Sequence, residues 1–255
     1  MSLSCLSLKR LLPLAPLAAL AFTSCENKTV PGPESGADYF PLAVGNYRIY
    51  QVLDTTWSNY QRTPVSYQFR ETVADQITDA AGQASFRVVR AKRVLPTDAW
   101  RDDSVMVITA TPKYVAQTRN NRRTIDLVFP VRDNYAWNMY SFVSVDTAAE
   151  SRNEDNRRYE AVGQPFQATA AGKTYRYEQT ASTALIVDNR NLYGFDNEYY
   201  LSTYKEVYAK GVGPVYRVRR RLNYCDEQSP TCSRSNTRIY KGQARVEVLI
   251  EQGKI

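Results

Sequence analysis

The chain has 255 residues, of which 43% are hydrophobic and 23% charged, with 19 tyrosines, 11 glycines and a formal net charge of +7. Such a length and apolar content allow one generous folded core and exclude a collagen-like or disordered chain. The sequence contains no histidine, which excludes Ser-His-Asp and Cys-His catalysis and removes a principal zinc ligand.

The first segment has the layout of an export signal. Lys9 and Arg10 form a short positive region, followed by an apolar run over residues 11–22 that only Pro13 and Pro16 interrupt. About a dozen apolar residues fall short of the roughly 20 that a bilayer-spanning helix needs. Residues 1–24 are therefore expected to be a removable signal peptide. Thr23 and Ser24 precede Cys25, and this arrangement resembles the cleavage box of bacterial lipoproteins. That resemblance implies cleavage before Cys25, a diacylglycerol on its sulfur, and a membrane partner reached through that lipid. Glu26 stands where some lipoproteins carry an inner-membrane retention Asp, so the expected location is the cell outer membrane, on either face. Residues 25–38 are polar, with Pro31, Gly32, Pro33 and Gly36 close together, and are expected to act as a disordered tether. Loss of Lys9 and Arg10 with the signal takes the net charge to about +5. No basic helix or known module accompanies it, so nucleic acid is not expected as a partner.

A single β domain is expected over residues 39–255. Alternating or short apolar runs at 46–53, 65–72, 84–94, 104–110, 113–118 and 123–129 suit strands, and turn signals at 79–82, 111–112 and 119–121 separate them. Residues 146–158 are the most helix-like stretch, yet they are too polar to pack and read as a loop. Further strands are expected at 174–187, 199–208, 215–223 and 237–251. Within 215–223, alternation places Val215, Arg217, Arg219 and Arg221 on one face and Tyr216, Val218, Arg220 and Leu222 on the other. An echo links Phe40-Pro41 and Phe129-Pro130, each followed by an aliphatic residue, a turn and Asn-Tyr. It reads either as common turn chemistry or as the openings of two related sub-sheets. The fold class predicted is all-β, a strongly curved antiparallel sheet or open half-barrel meander.

Candidate sites are few. Once Cys5 leaves with the signal and Cys25 is acylated, Cys225 and Cys232 remain, bracketing a polar turn. A disulfide between them suits an oxidising envelope. No metal site and no cofactor are expected. Ser202-Thr203-Tyr204-Lys205 matches Ser-x-x-Lys but sits in a strand-like run, not at a helix start. Residues 188–198 fail a calcium-loop pattern because Arg190 occupies an acceptor position. The acid pairs Asp102/Asp103, Glu154/Asp155 and Asp196/Glu198 read as solvated turns. Tyrosines crowd residues 193–208, and most such rings serve the core or cross-strand pairs. Tyr193, Tyr199, Tyr200, Tyr204 and Tyr208 are nevertheless candidate linings of a ligand groove, since aromatic faces stack on sugars and lipids.

Two motifs carry a family resemblance. Tyr39-Phe40-Pro41-Leu42 with Val44-Gly45-Asn46-Tyr47 and Tyr50, and later Tyr208-Ala209-Lys210-Gly211-Val212-Gly213, resemble the opening and closing segments of an uncharacterised outer-membrane lipoprotein family of the Bacteroidota. The resemblance implies a curved antiparallel sheet on an outer-membrane tether and implies no activity. The functional expectation is a non-catalytic cell-envelope lipoprotein with a binding or structural role. Its alternatives are a lipid or glycan carrier using the concave sheet face, and an accessory subunit of an outer-membrane assembly with an envelope protein as partner.

Overall fold

Among the described residues, twelve strands form one antiparallel sheet, preceded by a short 3₁₀ turn at Ala37–Tyr39. The computed structural model describes residues 35–79, 81–142, 156–185, 199–225 and 238–255, all within the unit Pro33–Ile255. The strands are β1 (Asn46–Ser58), β2 (Gln61–Thr78), β3 (Ala84–Arg93), β4 (Arg101–Ala110), β5 (Tyr114–Arg119), β6 (Arg122–Val128), β7 (Ala136–Asn138), β8 (Asn156–Ala170), β9 (Lys173–Leu185), β10 (Tyr200–Ala209), β11 (Gly213–Asn223) and β12 (Lys241–Lys254). Their order in the sheet is β6-β5-β4-β3-β2-β1-β12-β11-β10-β9-β8-β7. Every neighbouring pair is sequential except β1 with β12, which pair from Asn46↔Lys254 to Trp57↔Gly242. The sheet curls into a nearly closed barrel with one unsealed seam, flanked by the edge strands β6 and β7.

Local sequence explains much of this. Asn59-Tyr60 and Asn120-Asn121 each place two successive residues at positive φ, the geometry that matches a two-residue hairpin turn to strand twist. Pro64 lies within β2, opposite Thr55. Pairing of β2 with β3 begins only at Gln68↔Arg93, so this end of β2 is free on that side and tolerates a proline. The Gly211–Pro214 segment forms the β10–β11 bend, with a register shift at Val207/Tyr208. Gly213 has φ +99, and a Cβ there would lie 2.6 Å from Arg48 Nη2. Arg48 cannot withdraw, because Nε donates to Val212 O and Nη2 to Pro41 O, each at 2.9 Å.

Two expectations need correction. Asp102 and Asp103 lie in β4, where Asp102 stands opposite Ala91, and not in a turn. Residues 156–158 are not loop: β8 starts at Asn156 and pairs with both β7 and β9, while 146–155 lie outside the described residues. The remainder of β8 had no legible alternation because its register with β9 shifts twice, around Gln164, with Ala161 and Gly163 at positive φ. A bulged strand of this kind bends. Beyond it the hairpin reaches across the outer face, where Phe166 stands 5.3 Å from the Tyr216 ring.

The apolar cluster sits where β2, β4 and β6 end and β3 and β5 begin. Val73, Val88, Met106, Val115 and Leu127 meet Tyr39, Phe40, Tyr159 and Tyr208 there. Phe40-Pro41 precedes β1 and Phe129-Pro130 precedes β7, the first strands of the two six-strand runs in the sheet order. Both segments pack on this same cluster, and Val131 N donates to Ser35 O at 3.1 Å. The seam is bridged beside it. Tyr159 Oη donates to Val128 O at 2.8 Å and accepts from Val128 N at 3.0 Å. Trp137 Nε1 donates to Ile125 O at 3.0 Å, and Ile125 N donates to Met139 O at 2.7 Å.

Candidate functional site

At the opposite strand ends the sheet encloses a cavity of about 530 Å³. That lies within the usual size range of small-ligand sites. Its wall is built mainly of arginines, and cross-strand register decides which of them are neutralised. On β11, Arg217 stands between Glu206 of β10 and Glu247 of β12. Two residues on, Arg219 stands between Tyr204 and Arg245; two further, Arg221 stands between Ser202 and Gln243. The acid partners therefore stop one step before the cavity mouth. From the facing side, the β5–β6 hairpin contributes Arg119 and Arg122.

The floor is a buried ion-pair network. Glu71 receives Arg90 Nε at 3.1 Å and is also bonded by Arg90 Nη2. Arg217 Nη1 donates to the same Glu71 oxygen at 2.9 Å, and Arg217 Nη2 reaches its other oxygen at 3.3 Å. Arg217 also donates to Glu206 at 2.9 Å and to Glu247 at 3.1 Å, with its guanidinium 4.8 Å from the Tyr50 ring centroid. Burial alone would raise the Glu71 pKa, but Arg217 and Arg90 overcome it and hold the carboxyl well below the usual range. Burial works against the charge on Arg217, yet its three carboxylate partners push its pKa well up.

Arg157 lies between Glu206, at 3.4 Å, and Asp126, at 3.7 Å. Its guanidinium covers the Tyr204 ring at 4.4 Å. Its Nε finds no hydrogen-bond partner among the described residues although the side chain is buried. Asp126 titrates differently from Glu71. Burial raises its pKa to about 7, and Arg157 does not offset this because Glu206 pushes in the same upward direction. Tyr208 Oη donates to Glu206 at 2.5 Å. Arg245 Nε donates to Asp54 at 2.9 Å and its Nη2 at 2.5 Å, with Gln243 and Tyr67 also donating to that carboxylate.

The mouth has no such balance. Arg122 rests on the Tyr140 ring at 4.8 Å, and Arg119 sits 3.8 Å from Asp103. Among the described residues no carboxylate lies within ion-pairing distance of Arg219, Arg221 or Arg122. Desolvation, with repulsion from Arg221, lowers the Arg219 pKa.

The candidate tyrosines divide. Tyr204 lines the cavity. Tyr208 is buried beneath it, 6.0 Å from the Phe40 ring. Tyr199 and Tyr200 lie 6.4 Å apart, and neither is among the residues of the cavity wall. Tyr193 is outside the described residues, as are Cys25 and Cys232. Cys225 packs on the small cluster of Leu222, Tyr224 and Ile239. Ser202 lines the cavity while Lys205 lines a depression on the outer face, so the Ser-x-x-Lys spacing brings no amine to that hydroxyl. Among the described residues, no group of His, Cys, Asp or Glu is arranged to hold a metal, and no helix is long and apolar enough to cross a membrane. Strand alternation alone grouped the three β11 arginines. The acids came from β1, β2, β4, β6, β10 and β12, and nothing in their sequence spacing joins them.

No protein-family model matches the chain, and no curated protein or solved structure matches it.

Proposed function

We propose that this protein is a non-catalytic binding lipoprotein of the cell outer membrane, anchored through Cys25 and holding a polar ligand inside its barrel. The resemblance to Bacteroidota lipoproteins supports the address, and the polar cavity on the concave side of the sheet supports the binding role. Its wall of guanidinium, hydroxyl and amide groups suits a glycan or a lipid headgroup better than an acyl chain, which would strand those groups without water. Among the described residues, Glu206 and Glu247 are both held by guanidinium groups. Among the described residues, Asp126 therefore has no second free carboxylate in the cavity wall to complete an acid–base pair.

Native mass spectrometry of the full chain purified gently from the envelope tests this reading. The expected result is an added mass that denaturation releases, on a polypeptide starting at residue 25 and carrying a diacylglycerol. A two-dalton deficit would accompany a Cys225–Cys232 bridge. A bare, unacylated mass would refute the reading, and an added mass equal to another envelope protein would favour the assembly-subunit role instead.

A further inference from the structure

We infer that the cavity selects a phosphate monoester, with Arg219, Arg221 and Arg122 as its anion-binding groups and the neighbouring hydroxyl and amide side chains reading a polyol attached to it. This rests on the ligand-binding reading above and narrows it to one chemistry.

The first argument is charge. The deep arginines, Arg90, Arg157 and Arg217, each have a carboxylate partner, and so does Arg245 on the neighbouring strand. At the mouth, Arg219 and Arg221 share one strand face, about 7 Å apart along the strand, with Tyr204, Arg245, Ser202 and Gln243 as lateral neighbours. Like charges are thus placed together with no acid among the described residues to separate them. These arginines are exposed, and among the described residues the acids that neutralise the buried arginines do not extend to this row, which leaves its guanidinium groups open to an anionic ligand.

The second argument is valence and shape. A monocarboxylate balances one guanidinium, whereas a phosphate monoester carries close to two negative charges and three oxygens free to accept paired N–H donors. Arg122 lines the cavity from β6 and Arg219 and Arg221 line it from β11, so donors are present on two parts of the wall. Ser202, Thr203, Tyr204, Thr124, Asn120 and Gln117 complete this part of the wall, a set that donates to and accepts from hydroxyl groups.

A phosphorylated sugar in solution and a phospholipid headgroup present this same chemistry. Isothermal titration calorimetry on detergent-solubilised full-length protein separates them, using glucose 6-phosphate, short-chain phosphatidic acid and glucose as probes. The expected result is that a phosphorylated probe binds, that glucose does not, and that affinity falls as salt rises. Binding of glucose 6-phosphate assigns a soluble source; binding of phosphatidic acid alone assigns a headgroup. The R219Q/R221Q variant should lose about tenfold or more in affinity while melting no lower than the parent, because it relieves a like-charge contact. Arg122→Gln, on a different strand, should weaken binding independently of any change in β11. Unchanged affinity in both variants, equal affinity for glucose and glucose 6-phosphate, or no binding of either phosphorylated probe would overturn the inference. A neutral molecule released in the native mass measurement would keep the binding role and still overturn the phosphate assignment.

Discussion

The hydroxyl of Tyr159 both donates to and accepts from the backbone of Val128, and its ring packs 4.7 Å from Trp137. Val128 belongs to an edge strand whose outer side has no ladder, so this single oxygen satisfies two main-chain groups that a neighbouring strand would otherwise pair. In Tyr159→Phe the ring stays and the hydroxyl goes. Leaving two part-buried backbone groups without this partner costs about 1 kcal/mol or more, and the urea midpoint should fall accordingly with an unchanged slope. A midpoint equal to the parent's would mean that water already serves Val128 and that the seam does not depend on Tyr159. This role was hidden from the sequence: Tyr159 follows a polar stretch, and its partner lies 31 residues earlier on the other edge of the sheet.

Among the elements, the β11–β12 pair carries the cavity mouth and is closely packed at its end. Gly242 pairs with Leu222 and has φ +144; a Cβ there would lie 2.3 Å from Arg221 O and 2.8 Å from Leu222 Cα. Both are backbone atoms, so no side chain can swing aside. Gly242→Ala should push β12 from β11 and lower Tm by ~2–4 °C or more, the shift that about 1 kcal/mol produces in a domain of this size. Thermal unfolding by circular dichroism checks it, and a Tm within error of the parent's would show that the strand end frays to make room. Short apolar or alternating runs between turn signals located the other regular elements well, as at β3 (Ala84–Arg93), β4 (Arg101–Ala110), β9 (Lys173–Leu185), β10 (Tyr200–Ala209) and β11 (Gly213–Asn223), although burial itself does not alternate cleanly along β9, β10 or β11. Such patterning failed at β8, where bulges break the period, and at three-residue β7, too short to show one. The face of β11 was legible; its meaning was not, since Arg217, Arg219 and Arg221 look alike in sequence and differ only in what β10 and β12 set beside them.

For the whole molecule, the buried network makes stability depend on pH in two opposed ways. Glu71 gives up its proton more readily when folded, so its contribution is complete above the ordinary carboxylate range and is lost as pH falls below it. Asp126 holds its proton more tightly when folded, up to about 7. Its contribution is complete below its ordinary value of 3.8 and is lost as pH rises towards about 7. The groups that set this are Arg157 on β8, Glu206 on β10, Arg217 on β11 and Thr124 on its own strand. Asp126→Asn mimics the protonated form, so urea unfolding at about pH 5 and about pH 8 should show a smaller loss of stability between the two than in the parent. The variant should also be the more stable of the two proteins at the higher value. An identical loss in both proteins would place the titration elsewhere.

The meeting of β1 with β12 has one more consequence. Ile255 N donates to Gly45 O at 2.9 Å, so the two ends of the strand series touch while the open seam falls midway along the chain. Were residue 255 spliced to residue 45 and the chain cut between β6 and β7, the resulting circular permutant would read β7 to β12 and then β1 to β6. Sequence order and spatial order would then coincide, and every ladder would be a local hairpin. In the native order, eleven ladders divide into two blocks of nearest-neighbour pairs and one splice between them. Among the described strands that splice, β1 on β12, is the one sheet pairing that must be found across most of the polypeptide, and it is where contact order, and with it folding time, is concentrated.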